Sequence, residues 1–551
     1  MVDIRTFGAA GDGQTLDTNA INAAITAASE AGGGTVVFPA GTYLSYSVRL
    51  RSHITLHLEA GAVLLAAGDP PPSHEDILAM LTPEGTLPGG GTGDSGSFYA
   101  GDTFGQEAPA PPAPASASHK PAPSFAEAFG SKSKESAAAG AYDAPETNEH
   151  DRYQDHGHSH WHNSLIWGEN LTNIAITGPG RIDGRGLTWN ADPANPTGNK
   201  AIALKRCTHI TLRDFTLFRA GHFALLATGC DLLTIDNVKV DTNRDGLDID
   251  SCKHVSISNC YINSPNDDGI VLKSSYALGE PRATEHVVIT NCHLSGYDMG
   301  TLLDGTRQTT QKIAPDRGGV TGRIKFGTES NGGFRNIAIS NCSFAHCRGL
   351  ALETVDGGPI EDVAISNICM QDVTSAPLFL RLGNRGRGPK HLPVSVVRRV
   401  SFNNISASDA EPRFASLFSG IPGHPIEDLR LSNITLQYRG GGAKRDAQRQ
   451  PPENEKGYPD PVMFGVIPAY GLYFRHVKNL HVSNVSLSFD HPEHRPPIVL
   501  EDVHTATLDN ITAMRLPAVP FVRCQNVTTL TLHQLPTLTN SHHPHLESAT
   551  L

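Results

Sequence analysis

Aromatic residues make up only 6% of this 551-residue chain, and hydrophobic residues only 38%. That is lean for a compact globule but enough for a thin core drawn out along an axis. No apolar run approaches the ~18 residues that cross a bilayer, so a helical membrane span is not expected. The first residues, Met1-Val2-Asp3-Ile4-Arg5, contain no apolar leader. A cytoplasmic chain fits this, and so does a periplasmic or secreted one whose leader has been removed. The nine cysteines are odd in number and form no Cys-x-x-Cys pair. Cys260, Cys292 and Cys342 each follow an Asn, which points to small buried thiols at one repeated place rather than a disulfide framework. Basic charge is also short. The formal charge of −12 argues against nucleic acid as a partner, and it requires any site for an acidic ligand to be locally basic.

What is present is a repeat. An alternating apolar strand ending in Ser/Thr/Asp-Asn recurs, as Leu233-Thr234-Ile235-Asp236-Asn237, Val255-Ser256-Ile257-Ser258-Asn259 and Ile337-Ala338-Ile339-Ser340-Asn341. It returns with Asn291, Asn367, Asn433, Asn484 and Asn510 as its last residue. Asn237 and Asn259 are 22 residues apart, and Asn341 and Asn367 are 26 apart, a period that suits one solenoid coil of three short strands. The alternation buries one face of each strand. An Asn at each corner tolerates a left-handed turn and can bond its stacked neighbour. The expected fold is all-β, a right-handed parallel β-helix. Residues 14–31 read as an amphipathic helix capping its open end. Residues 1–67 form the cap and first coils, 68–155 a Pro/Gly/Ala-rich inserted loop, and 156–551 the helix proper. The catalytic coils are placed at about 220–360.

Two neighbouring coils carry the chemistry. One reads Thr242-Asn243-Arg244-Asp245-Gly246-Leu247-Asp248, the other Pro265-Asn266-Asp267-Asp268-Gly269-Ile270-Val271-Leu272-Lys273. Asp245 and Asp267, 22 residues apart, are expected on adjacent rungs. Crowded carboxylates push one pKa upward, which a protein uses where it needs a protonated acid beside an ionised base. Asp248, Asp250 and Asp304 are read by default as turn residues.

With Phe7-Gly8-Ala9-Ala10-Gly11-Asp12-Gly13 and Asp17-Thr18-Asn19-Ala20-Ile21 at the start, these motifs make the chain resemble glycoside hydrolase family 28, the polygalacturonase-like, pectin-degrading β-helices. The resemblance implies inverting hydrolysis of a uronate-containing polysaccharide such as galacturonan or rhamnogalacturonan, without a cofactor or metal. The implied partner is an acidic plant-cell-wall polysaccharide or oligosaccharide, with no nucleic acid and no membrane, and the chain is expected to be a monomer. Asp267 would be the general acid, Asp245 and Asp268 would hold and activate water, and Asn243 would orient them. Lys273, on the strand after the pair, is either a supporting residue or a surface lysine.

The chain also departs from the family pattern. Where a His-Gly motif is implied, it reads Thr321-Gly322-Arg323-Ile324-Lys325-Phe326. Where Arg-x-Lys is implied, it reads Ala351-Leu352-Glu353. Arg323 and Lys325 share a strand face and are expected to bind a substrate carboxylate from the neighbouring rung. Glu353, standing in place of a cation, points to a divergent branch with a different substrate. His222, one coil before Asp245, is expected to contact substrate. Arg381, Arg385, Arg387, His424, Tyr470 and Arg475 are placed in loops that could wall one end of the groove and favour exo action. His156, His158, His160 and His162 alternate as if on one strand face, with substrate-facing or structural roles favoured over metal binding. Two other readings stay open. One is a lyase with calcium on the aspartates and Arg323 as base; the other is a non-catalytic carbohydrate-binding β-helix.

Overall fold

The computed structural model describes residues 1–68, 141–155, 157–188, 198–316, 318–390, 392–536 and 538–551. Most of the expected insertion, and His156, lie outside them. The described chain winds as a right-handed parallel β-helix. Successive coils pair in parallel along three columns of strands. One column runs Ile166–Glu169, Lys200–Lys205, Phe223–Thr228, Asp245–Asp250, Ile270–Ser274, Ile324–Ser330 and Leu350–Thr354. A second contains Asp231–Asp236, Lys253–Ser258 and Thr284–Thr290, and a third Lys239–Asp241, Tyr261–Asn263 and His293–Ser295.

The repeated phrase forms the second column and its corner. Inward residues such as Ile235, Val255, Ile257 and Ile289 are buried, as the period-two pattern requires. Each such side chain contributes ~1.5–3 kcal/mol by leaving water. All eight repeated asparagines, from Asn237 to Asn510, have positive φ near 50–58°. Several join in a ladder: Asn367 donates to Asn341 at 3.0 Å, Asn484 to Asn433 at 3.1 Å and Asn510 to Asn484 at 2.8 Å. Every cysteine is a free thiol and only Cys369 is exposed, so the stacked-core reading of the cysteines holds.

The capping helix spans Thr18–Glu30 and buries Ile21, Ala24, Ile25 and Ala28. Asp17 does not cap it. Its carboxylate instead accepts from the Ala10 and Gly11 amides and ties the Gly-rich opening to the first coil. At the far end, Val522–Val527 pairs antiparallel with Leu546–Thr550, covering the last open edge. Residues 141–155, counted with the insertion from sequence, pack on the barrel. The Tyr142 hydroxyl donates to Ala67 O at 2.7 Å, and Asp143 pairs with Arg49.

Candidate active site

The first column is where the rule of alternation breaks. Every residue of Asp245–Asp250, Ile270–Ser274 and Ile324–Ser330 is buried, on both faces. Leu247 is in register with Ile270 and Ile324, and the side chains between these inward residues face a cleft of about 140 Å³. Its lining includes Asp155, His158, His222, Arg244, Asp245, Asp267, Asp268, Lys273, Lys325, Glu329 and Tyr458.

The three expected aspartates converge. One oxygen from each of Asp245, Asp267 and Asp268 lies within 4.8 Å of the others. The register pairs Asp245 with Asp268, because Leu247 opposes Ile270; Asp267 sits one step further into the turn. The Asp268 amide donates to Asp245 Oδ1 at 3.1 Å and to Asp267 Oδ1 at 3.0 Å, so two carboxylates meet at one N–H.

Their environments differ. Burial, with the charges of Asp248 and Asp267, raises the Asp245 carboxyl well above the usual range. Asp268 is as buried, but Arg323 Nε at 2.7 Å and Lys325 Nζ at 3.3 Å outweigh burial and hold it ionised. Asp267 is the most exposed of the three, with 28% of its side chain open and Arg244 at 2.7 Å. The trio therefore offers one carboxyl pushed toward its protonated form, Asp245, beside one that stays charged, Asp268.

The supporting residues fall differently from the sequence expectation. Arg323 and Lys325 do share a face, but both are buried and already paired. Arg323 also reaches Asp460 at 3.4 Å and Glu353 at 3.9 Å, and Lys325 reaches Glu353 at 3.8 Å. Glu353 is fully buried behind them, so it can act on a ligand only through those cations. Burial pushes its carboxyl up to about 7. Asn243 does not orient the aspartates; its Oδ1 accepts from Asn266. His222 lines the cleft as expected, with its ring 4.1 Å from Phe223. Lys273 is neither on a turn nor at the surface. It is buried in the sheet, 2.6 Å from Asp248 and 3.8 Å from Asp245, and burial is outweighed by those charges, which raise its pKa. Asp248 and Asp250 are buried strand residues rather than turn decoration.

The described members of the histidine run, His158, His160 and His162, lie outside any strand and diverge. His158 faces the cleft, 3.3 Å from Glu329 and 3.1 Å from Lys273 Nζ. His160 pairs with Asp151 at 3.2 Å, and His162 with Glu169 at 2.9 Å. Arg381 and Arg475 are buried strand residues, not loop residues. They donate to backbone carbonyls of 451–454 and so anchor the loop that carries Tyr458 and Asp460 into the site. Tyr470 is buried in the core. Arg387 does reach the wall, 2.6 Å from Asp155.

Residues 145–300, which hold both acidic motifs, match the model of glycosyl hydrolases family 28. This is the family that the two acidic motifs resemble. Residues 1–58 match a second model, rhamnogalacturonase A/epimerase, pectate lyase-like. Among curated relatives, the chain is 26% identical to a probable polygalacturonase of Vitis vinifera, over 78% of this chain and 73% of that protein. Two solved structures share its fold at 16% identity. An exopolygalacturonase of Thermotoga maritima gives a TM-score of 0.52 over 79% of this chain and 87% of its own. A family 28 exopolygalacturonase of Yersinia enterocolitica gives 0.53 over 97% and 79%.

Several residues of the cleft were missed from sequence. Glu329 was legible, since it continues the alternation of Arg323 and Lys325 along one strand. Tyr458, whose hydroxyl is 3.0 Å from Lys325 Nζ, and Asp460 carried no signal at all.

Proposed function

We propose that this chain hydrolyses a glycosidic bond in a pectin-type, uronate-containing polysaccharide or oligosaccharide, working from a chain end. The observation that carries this reading is the convergence of Asp245, Asp267 and Asp268 at the cleft. Asp267, the most accessible of the three, protonates the leaving glycosidic oxygen as the C1–O bond breaks. Asp268, kept ionised by Arg323 and Lys325, takes a proton from water with Asp245 beside it, and the hydroxide adds to C1. End-wise action is supported by the walls: Asp155 and His158 on one side and Tyr458 on another narrow the groove toward a pocket. The relatives' names support the substrate class.

The carboxylates are closer than the ~6.5–9.5 Å usual for inverting pairs and nearer the ~5–5.5 Å of retaining ones. Inversion follows from the resemblance, and NMR of the first-formed anomer tests it. A retained anomer would make Asp245 or Asp268 a nucleophile. The primary experiment is product analysis on pectic oligosaccharides with wild type and Asp267→Asn, with and without a chelator. Saturated monomeric products, insensitive to the chelator and abolished by the substitution, are expected. Unsaturated products that need calcium would make the chain a lyase.

A further inference from the structure

We infer that the sugar unit seated in the cleft is uncharged, and that the uronates of the polymer lie outside it. This rests on the hydrolase reading above and names its substrate class more narrowly. The argument is one of charge. Five carboxylates line the cleft among the described residues, Asp155, Asp245, Asp267, Asp268 and Glu329, against three permanent cations, Arg244, Lys273 and Lys325. Each cation already has a carboxylate of this chain at contact distance: Arg244 meets Asp267 at 2.7 Å, Lys273 meets Asp248 at 2.6 Å, and Lys325 meets Asp268 at 3.3 Å.

Protons do not reverse the balance. Asp155 is raised by burial and by the neighbouring Glu329, and Asp245 by burial and its acidic neighbours. Even with both of these carboxyls protonated, three carboxylates would remain against three cations among the described residues, leaving no surplus positive charge for an incoming carboxylate. A uronate would have to displace a carboxylate from the buried pairs of Lys273 or Lys325, displace Asp267 from the half-buried Arg244, or remain unpaired in a desolvated site.

The lining also offers what a neutral sugar uses. The imidazoles of His158 and His222 and the hydroxyls of Thr328 and Tyr458 can meet sugar hydroxyls, and Tyr458 presents a ring. Glu353 enforces the arrangement from behind. Held at 3.8–3.9 Å from Lys325 and Arg323, it adds a second protein carboxylate to Lys325 and a third to Arg323.

The test uses matched oligogalacturonides, native and carboxyl-reduced, which differ only in a carboxylate or hydroxymethyl group at each unit. The wild-type chain is expected to show at least a tenfold higher kcat/KM for release of a terminal unit from the reduced series. Glu353→Gln, checked for folding by its melting curve, is expected to move that ratio toward the uronate, a change that a merely structural residue would not produce. Preference for the native series overturns the inference and leaves the hydrolase reading standing. If neither series is cleaved, calorimetric binding to the wild-type chain decides. Tighter binding of the reduced series supports the inference, tighter binding of the native series overturns it, and binding of neither overturns both readings.

Discussion

Each coil contains two adjacent strands that obey different rules. Lys253–Ser258 alternates buried and exposed residues, so its polar side chains are solvated and its inward residues do the packing. Asp245–Asp250, a few residues earlier in the same coil, is buried throughout although half its residues are aspartates. The backbone geometry is the same. The difference is cover: segments around Asp155 and His158, Asp316, Arg387 and Tyr458–Asp460 close over one column and leave the other bare. A charge on the bare strand needs no partner, whereas under cover every charge must be paired, hydrogen-bonded or protonated. That requirement explains why the cleft carries its own counter-ions and why the chemistry is concentrated there.

The sharpest way to break the comparison is within the aspartate trio. Asp267→Asn is expected to lower kcat/KM by roughly 10²–10⁴-fold, the range for a general acid, with little change in Tm because this side chain is the most exposed of the three. Asp268→Asn should cost activity on that scale and stability as well, since it leaves Arg323 and Lys325 short of their shared anion. Equal Tm values for the two variants would contradict the assigned difference in burial.

Next comes one lysine from each strand. Lys273→Met leaves Asp248 buried without its 2.6 Å partner and is expected to cost about 3–5 kcal/mol in denaturant unfolding. Lys253→Met removes an equally short pair, 2.7 Å to Glu285, but with 35% of the lysine side chain exposed; about 1 kcal/mol or less is expected. Similar losses at the two sites would mean that cover does not set the energetics.

A smaller effect separates the two sides of the Arg323/Lys325 network by pH. Glu353, with Arg323, Lys325, Asp268 and Asp460 around it, is raised by burial to about 7. Between its unfolded value of ~4.3 and about 7, the folded chain keeps a proton that the unfolded chain has lost. Its contribution is therefore full at low pH and lost as pH rises through that window. Asp268 runs the other way: its low pKa gives stability above the unfolded ~3.9 that is lost as pH falls. Glu353→Gln is expected to flatten the decline between pH 4.5 and 7 by up to about 3 kcal/mol, measured as urea stability against pH. An unchanged slope would remove Glu353 from the titrating network.

How much of this was legible follows from the same contrast. The bare column could be read from sequence because its rule is local: alternate Val, Ile and Leu, then Asn at the corner. The covered column was half legible. Asp245, Asp267 and Asp268 announced themselves by crowding at one-coil spacing. Their partners did not, because pairing under cover is a tertiary matter. Asp460 lies 137 residues from the arginine it meets, and no periodicity links them. Lys273 could be read as a supporting residue or as a surface lysine, because nothing in its neighbourhood says that His158 will close over it. Asn243 misled because its motif matched while its turn directed it to Asn266.

The bare column also supplies the gentlest test. Asn341 holds φ at 57° and both accepts from Asn367 at 3.0 Å and donates to Thr290 at 3.3 Å. Asn341→Ala meets the steric cost of a left-handed residue, ~1–2 kcal/mol, and also loses the ladder contacts. Asn341→Gly keeps the conformation and loses only the contacts, which are solvent-exposed and so worth little. The expected order in chemical denaturation is wild type, then Gly slightly below it, then Ala clearly lower, with kcat/KM unchanged in all three. If Gly proved as damaging as Ala, the ladder's hydrogen bonds rather than the corner's backbone shape would be what the repeated Asn supplies, and the bare column would be held by its polar edge as the covered one is.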